Sequence, residues 1–306
     1  MKKPTNYFIL NMAISDLVVP TMSHSRELVL LYTKSKYDTE WLVGGTIGTI
    51  LCKLVPFFHD VTTAVSILSL ILITIDRFIA VVYPMKHYIM SKTECKVLIF
   101  ATWLLGMSLH AVYLYTFEVR KVNGVHVCVP GYDKKFGAKF INNYFLSLFS
   151  ILTVTPTIVM TIAYTIIIIS LKRQSSHLGD SFSDRQKRQR AKKEKKIIQL
   201  AIVIIITFII LWAPFNALVY LRLFVYNDVM PNPCFLKPFR FIALFCAYAN
   251  AAINPCIVFI LCQVFRQGLR KMLSKNSKID IVKNQSGGQQ LANQREMRNM
   301  AHENNI

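Results

Sequence analysis

Several residue patterns that are common in proteins are missing from this chain. Its seven cysteines form no Cys-x-x-Cys pair, so the usual zinc and thiol-redox motifs are absent from the sequence. Glycine and proline number only 11 each in 306 residues. Apolar residues do not alternate with polar ones in the short runs that barrel strands need. These gaps argue against a zinc or thiol-redox protein and against a β-barrel.

The apolar residues fall instead in long continuous blocks. Hydrophobic residues make up 53% of the chain. The blocks are about twenty residues or longer, which is enough to cross a bilayer as a helix. Because only helices and closed barrels satisfy their backbone hydrogen bonds inside lipid, such blocks indicate an all-α membrane protein. We predict six spans, at about residues 7–31, 53–82, 97–117, 142–171, 197–224 and 237–262.

The formal net charge of +20 is unevenly distributed along the chain. Basic residues concentrate in residues 172–196 and after residue 265, as expected of cytoplasmic segments in a membrane protein. A nucleic-acid-binding patch is the alternative, but a loop tethered between two spans disfavours it. We therefore predict that both termini lie in the cytoplasm and that residues 187–196 form a helical extension of the following span.

The span within residues 52–84 contains more polar groups than a simple membrane anchor requires. Asp76 and Arg77 lie near its far end. A polar stripe also follows one helical face, at His59, Thr63, Ser66 and Ser69. Ionisable groups at membrane depth are costly and usually face a bundle interior or a water-filled cavity. A helix end with snorkelling charges is the simpler interpretation of the same residues.

Cys52, the triplet Asp76-Arg77-Phe78 and Pro84 together resemble the third transmembrane helix of rhodopsin-like (class A) G protein-coupled receptors. The usual triplet of that family is Asp-Arg-Tyr, so Phe78 is a change of one aromatic residue for another. Receptors of the family have seven spans, and this chain starts with what looks like their first cytoplasmic loop. The resemblance therefore implies a seven-transmembrane receptor bundle of which six helices are present and the first is missing.

Motifs further along the chain extend the resemblance. Residues 208–215 are similar to the family's Phe-x-x-x-Cys-Trp-x-Pro pattern, and Asn254-Pro255 begins an Asn-Pro-x-x-Tyr motif whose tyrosine is replaced by Val258. Pro214 is expected to kink its helix and so provide a hinge. Glu194 has a second interpretation, as one member of a charge run. The activation switch that the resemblance implies consists of Asp76, Arg77, Phe78, Tyr164, Glu194, Phe208, Trp212, Pro214, Asn254 and Pro255.

Asp16 is a lone carboxylate inside an apolar segment that resembles the second helix of the family. The alternative to a functional role is a protonated or hydrogen-bonded acid that fills a polar gap. Oxygen ligands and an acid suit a hard monovalent cation. The resemblance implies an allosteric sodium site formed by Asp16, Ser66, Trp212, Asn250 and Asn254. No other cofactor is expected.

A strong turn signal lies between the spans at 97–117 and 142–171. Two alternating valine runs flank Asn123-Gly124, and both turn residues of such a hairpin must accept positive φ. We predict a β-hairpin in this outer loop, which resembles the peptide-binding members of the family. The resemblance also implies a disulfide between Cys52 and Cys128. Trp41, in the preceding outer loop, fits both a family position and an interfacial anchor.

The ligand cavity that the resemblance implies is polar and mixed in charge. His59 occupies the place of the aspartate in amine receptors, so an amine ligand is disfavoured. Residues 241–258 contain no lysine, which light-sensing members require. We expect an extracellular ligand that is a short peptide, bound by His59, Asp60, Thr63, Phe215, Asn216, Arg222 and Tyr248.

These features predict a membrane bundle over residues 1–274, ending in a short amphipathic helix at 263–274, and a disordered cytoplasmic tail at 275–306. The implied function is that of a plasma-membrane receptor that transduces ligand binding to heterotrimeric G proteins by an outward swing of the helix that contains Pro214. Arrestin, receptor kinases and the lipid bilayer are the further implied partners. Neither an enzyme activity nor a nucleic-acid partner is expected.

Two alternatives stay open from the sequence. A truncated six-span receptor would signal little by itself and would act by pairing with full-length partners. A six-span channel or transporter would show charged rings, re-entrant loops or an internal repeat, and the sequence contains none of these.

Overall fold

A computed structural model describes residues 4–19, 21, 32, 40–83, 90–131, 137–176, 182–221, 225, 236–261 and 266–268. The chain divides into two compact units, Met1–Val258 and Phe259–Ile306. The first unit contains the helical bundle and a two-stranded hairpin. In the second unit, residues 259–261 and 266–268 are helical. The remainder of the predicted amphipathic helix and the predicted tail lie outside the described residues.

Helices make up most of the described structure. In chain order they are α1 (Pro4–Val19), α2 (Gly45–Val82), α3 (Lys92–His110), α4 (Val112–Thr116), α5 (Ala138–Phe149), α6 (Thr155–Ser176), α7 (Phe182–Tyr220) and α8 (Leu236–Leu261). Between α4 and α5 stand the strands β1 (Phe117–Val122) and β2 (Val125–Pro130). This order confirms the predicted all-α architecture with one hairpin.

Five segments in the described part of the chain are long and apolar enough to cross a membrane. They overlap five of the six predicted spans and lie at Gly45–Val82, Lys92–Thr116, Asn143–Arg173, Ile198–Tyr220 and Pro238–Leu261. The first predicted span, over residues 7–31, is described mainly through α1, which has 16 residues. The chain is therefore a multi-pass membrane protein.

The other elements pack around α2, which contacts α1, α3, α4, α6, α7 and β1. Its 38 residues correspond to a length of about 57 Å. That is longer than the roughly 30 Å of a bilayer's hydrocarbon core, so the helix continues beyond it. Fully buried side chains from α1, α2 and the helices that pack on α2 fill the interior, among them Phe8, Met12, Leu70, Met160, Ile167, Ile204 and Phe208.

The start of α2 lies eight residues before the predicted span. A tertiary contact supports this start, because the Trp41 indole Nε1 donates a 2.9 Å hydrogen bond to the Gly48 carbonyl. Gly48 leaves no room for a side chain, since a Cβ there would lie 2.0 Å from the Val43 carbonyl oxygen. The apolar pattern predicts the membrane-crossing part of a helix, but it carries no information about a turn held in this way.

The predicted hairpin is confirmed, with β1 and β2 paired antiparallel along their whole length. Asn123 and Gly124 have positive φ angles of 48° and 86°. This is the backbone geometry that a two-residue hairpin turn requires, and glycine adopts it without a steric penalty.

The predicted disulfide between Cys52 and Cys128 is present and joins β2 to α2, across a sequence separation of 76 residues. Both cysteines are buried in a cluster with Trp41. The Trp41 backbone N–H also donates to the His126 carbonyl at 2.8 Å. The hairpin is thus fixed to α2 by a covalent bond and to the segment before α2 by a backbone hydrogen bond.

The span at residues 142–171 consists of α5 and α6 joined by a π-helical turn, Ser150–Val154. Pro156 lies two residues after the last residue of this turn. Proline has no N–H and cannot donate to the carbonyl four residues earlier, so a local widening of the helix is a common accommodation. The π-helical turn at Ser150–Val154 is a widening of this kind.

The first turn of α3 is stabilised by a capping box. The Ser91 hydroxyl accepts from the Glu94 N–H at 3.1 Å, and the Glu94 carboxylate accepts from the Ser91 N–H at 2.6 Å.

Further along α3, a Cβ on Gly106 would lie 3.2 Å from the Val61 carbonyl oxygen of α2. Glycine at this position therefore allows α3 to approach α2 closely.

Candidate functional site

A buried charge pair lies near the end of α2 that is remote from the hairpin, which we call the Asp76 end. Arg77 is only 4% exposed. Its Nη2 and Nε donate to Asp76 Oδ2 at 2.6 Å and 3.1 Å. The Thr5 hydroxyl of α1 donates to the same carboxylate oxygen. Because an unpaired buried guanidinium would be very costly, these contacts both satisfy Arg77 and restrain it.

The remaining predicted switch residues are distributed over α2, α6, α7 and α8. The Phe78 ring packs against Tyr83 with centroids 6.2 Å apart. Tyr164 is buried, and its hydroxyl has no hydrogen-bond partner among the described residues. Pro255 is an internal residue of α8. The side chain of Glu194 lies outside the described part of the structure.

Three aromatic rings follow one another on α7, close to Pro214. The Trp212 ring centroid lies 5.6 Å from that of Phe208 and 5.6 Å from that of Phe215. Pro214 lies inside the helix and cannot donate a backbone hydrogen bond, so the ladder of α7 is interrupted between these rings.

A small apolar cavity lies between α7 and its neighbours near the Asp76 end. It is lined by side chains of α1, α2, α6 and α7, namely Thr5, Ile9, Leu70, Ile73, Tyr164, Leu200, Ala201, Ile204 and Ile205. Thr5 belongs both to this lining and to the Asp76 contact.

The structure brings three of the five predicted sodium ligands together. Asp16 is 2% exposed. Its carboxylate accepts from Asn254 Nδ2 at 3.0 Å, and the Ser66 side chain lies close to it. Asn250 lies one helical turn before Asn254 on α8.

Several polar atoms of this set have no partner within the described residues. They are the Oδ1 atoms of Asn250 and Asn254 and the indole Nε1 of Trp212, all of them buried. Unsatisfied buried acceptors are uncommon in native structures and call for an explanation such as an ion or water. Two amide oxygens and a carboxylate fit a hard cation such as sodium, whereas the Trp212 N–H is a donor and does not fit as a direct ligand.

The predicted ligand residues lie toward the opposite end of the bundle, which we call the hairpin end. The His59 and Tyr248 rings pack edge to face with centroids 5.0 Å apart, so α2 meets α8 there. The Thr63 hydroxyl donates to the His59 carbonyl at 2.9 Å. Asn216 Oδ1 is buried without a partner in the described residues. Arg222 lies outside them.

Sequence reasoning missed Tyr113, which connects α4 to this site. Its hydroxyl donates to Asp60 Oδ2 at 2.5 Å. Its ring packs in an aromatic cluster with His110, Phe117 and Phe145. An isolated tyrosine near the end of an apolar span has no sequence signature that would pair it with an acid 53 residues away.

A second missed feature is the polar contact centred on Asn11 in α1. Asn11 Nδ2 donates to the Ser69 hydroxyl at 2.9 Å, and its Oδ1 accepts from Trp103 Nε1 at 2.9 Å. These hydrogen bonds connect α1, α2 and α3 in the protein interior. The repeated polar residues along α2 were the available signal, but their partners could not be assigned from spacing.

The helical spans, the disulfide-linked hairpin and the charge pair of Asp76 and Arg77 define a polytopic helical membrane protein. A sequence model of the family described as 7 transmembrane receptor (rhodopsin family) matches residues 1–258. The chain belongs to this family.

Curated relatives agree with this assignment. The chain is 27% identical over 273 residues to galanin receptor 2b of Danio rerio, covering 88% of this chain and 66% of the relative. It is 25% identical over 270 residues to the substance-K receptor of Mus musculus, with coverages of 88% and 67%. The somatostatin receptor type 5 of Rattus norvegicus is 26% identical over 283 residues, with coverages of 89% and 69%. The chain thus spans about two thirds of the length of these relatives.

Proposed function

We propose that this chain is a receptor that transduces the binding of an extracellular peptide to heterotrimeric G proteins. Membership of the rhodopsin family and the resemblance to receptors named for galanin, substance K and somatostatin support this proposal. A hairpin fixed by a disulfide above the His59–Tyr248 contact offers a stable rim for a peptide-sized ligand.

The observation that carries the signalling part of the proposal is the buried Arg77, held by Asp76 and indirectly by Thr5. In this arrangement the guanidinium is hydrogen-bonded to Asp76 and faces the protein interior. A ligand that favours a second conformation shifts the population toward it by its difference in affinity for the two states. In that second conformation Arg77 is released to meet the G protein.

The moving element in this proposal is α7. Pro214 interrupts its backbone hydrogen bonds beside Trp212. A small apolar cavity, lined in part by Leu200 and Ile204, lies beside the half of the helix that would swing outward. A ligand that contacts Phe215 or Asn216 would act on the hinge at Pro214 through the packed rings of Phe215 and Trp212.

Sodium is proposed as the allosteric ligand of the Asp16 cluster. Asp16, Asn250 and Asn254 would hold the ion, and Ser66 would complete the set. A bound cation draws α1, α2 and α8 together and so favours the restrained state, and linkage then requires agonist and sodium to oppose each other.

The cellular setting follows from the same proposal. The chain resides in the plasma membrane with its C-terminus in the cytoplasm, where arrestin and receptor kinases have access to the basic segments. Residues 1–274 act as the receptor bundle and residues 275–306 as its tail.

The test is a G protein dissociation assay in cells that express the chain at the surface. Galanin, substance K, substance P and somatostatin serve as the first peptide panel, followed by a general library of amidated peptides. We expect a saturable response that Arg77→Ala abolishes. Lys196→Ala, a change at an exposed basic residue of α7, serves as the matched control and retains the response. A surface-expressed chain that binds peptide without activating any G protein would contradict the proposal.

A further inference from the structure

Asp60 is a carboxylate near the hairpin end whose acceptor capacity is only partly used. Its Oδ2 accepts from the Tyr113 hydroxyl at 2.5 Å. Its Oδ1 lies 3.9 Å from His59 Nε2, which is beyond hydrogen-bond distance. The Asp60 side chain is 35% exposed. Since an ionised carboxylate has about four acceptor positions, the Oδ1 side remains available.

Two other partly buried acids among the described residues have arginine partners. Asp76 pairs with Arg77, and Glu118 pairs with Arg120 at 2.5 Å. Asp60, by contrast, has no lysine or arginine partner among the described residues, and its basic neighbour His59, 3.9 Å away, carries a charge only when protonated. A carboxylate that is one third exposed and has no permanently charged partner can pair with a cation that comes from outside.

Tyr113 orients this carboxylate. Its ring is buried between His110, Phe117 and Phe145, which leaves the hydroxyl little freedom. One carboxylate oxygen is therefore anchored toward α4, and the other is directed away from that contact. The His59 ring, packed against Tyr248, stands beside the second oxygen.

We propose that Asp60 binds a cationic group of the ligand and that Tyr113 is the positioning residue for this contact. The group is a guanidinium or an ammonium, since both donate hydrogen bonds to a carboxylate. The inference rests on the proposed peptide-receptor function and adds the charge that the ligand must present. It also gives the acid a role beyond holding Tyr113 in place.

The test compares matched peptides on the purified chain in nanodiscs. The probes are amidated hexapeptides made in pairs, with one arginine or its neutral analogue citrulline, and with one lysine or acetyl-lysine. The midpoint of thermal unfolding at increasing peptide concentration reports binding, because a ligand of the folded state raises it. The arginine and lysine arms distinguish a guanidinium from an ammonium.

We expect peptides with the cation to bind about tenfold or more tightly than their neutral partners. Asp60→Asn should remove this preference while neutral peptides still bind. Glu118→Gln, a change at an acid that already has a partner, should leave the preference intact. Tyr113→Phe should weaken the preference without changing the affinity for the neutral peptides, which a purely structural role would not predict.

Two outcomes overturn the proposal in different ways. If charged and neutral peptides bind the unmodified chain equally well, or if Asp60→Asn keeps the preference, Asp60 is not the cation site although the peptide-receptor function stands. If no peptide of either kind binds, the proposed function fails and the Asp60 proposal fails with it. The comparison on the unmodified chain needs no variant, so a folding defect in Asp60→Asn cannot hide the answer.

Discussion

The Asp76 carboxylate accepts two hydrogen bonds from the buried Arg77, and Thr5 of α1 donates a third. Each bond to a charged group contributes about 1.5–3 kcal/mol when it is formed in a protein. A restraint of this size is comparable to the differences between conformational states of a switch. Small chemical changes at this one carboxylate should therefore alter the resting population.

Asp76→Asn keeps the shape of the side chain but removes its charge. We expect G protein signalling without added ligand to increase several-fold per receptor at the surface, because Arg77 loses its ionic partner. Thr5→Ala, which removes only one hydrogen bond, should give a smaller increase in the same assay. Unchanged ligand-free signalling at normal surface expression would show that the pair does not restrain the switch.

Asp16→Asn tests the sodium proposal by neutralising the carboxylate at the centre of the cluster. In the unmodified chain, replacing choline chloride by sodium chloride at constant ionic strength should weaken agonist binding, since the two ligands favour different states. In the variant, affinity should be the same in both salts. Ser15→Ala, at a buried neighbour whose hydroxyl bonds only within α1, is the control and should keep the sodium effect. Persistence of the effect in Asp16→Asn would exclude this site.

At the scale of elements, the packing of α3 on α2 depends on the missing side chain of Gly106. Added atoms at this point must displace the Val61 backbone, which is rigid because it lies inside a helix. Overpacking of a close contact of this kind typically costs about 1–3 kcal/mol.

Gly106→Val should accordingly lower the thermal unfolding midpoint of the purified chain by several degrees. Ala101→Val introduces the same side chain at an exposed position of α3 and should have little effect. Equal midpoints for the two variants would mean that α3 can shift away from α2 without loss. Measurement in one detergent or nanodisc preparation keeps the comparison fair.

The boundaries of the elements show which features of the structure could be predicted from neighbouring residues alone. The turn at Asn123-Gly124 needed only two residues that tolerate positive φ, and the prediction was confirmed. The start of α2 lies eight residues before the predicted membrane span, and the Trp41 hydrogen bond to Gly48 holds its first turn. Hydropathy shows which residues enter lipid. Where a helix extends beyond the bilayer, the position of its end depends on capping and on contacts outside the apolar run.

For the molecule as a whole, the disulfide, the hairpin and the five described spans define which end of the bundle must face an oxidising compartment. The hairpin turn is exposed and has room for a modification. It therefore offers a direct test of orientation in the membrane.

Val125→Thr creates an Asn-Gly-Thr glycosylation acceptor at Asn123, and threonine is compatible with a strand. We expect the variant expressed in cells to gain a glycan, seen as a mass shift that a glycosidase removes. The double variant Asn123→Gln with Val125→Thr is the matched control and should show no shift. A lack of glycan on a well-expressed Val125→Thr chain would argue against an outward-facing hairpin.

The sequence alone determined the class of this protein, since long apolar blocks must be helices in lipid and an Asn-Gly turn between valine runs must fold as a hairpin. Its motifs also suggested the family. Only the tertiary structure showed that Tyr113 meets Asp60, that Thr5 meets Asp76 and that Asn254 meets Asp16. These contacts join residues 53, 71 and 238 positions apart. Local backbone preference and lipid solubility act along the chain, but the partner of a buried polar group depends on how each helix is rotated and packed, which no single segment encodes.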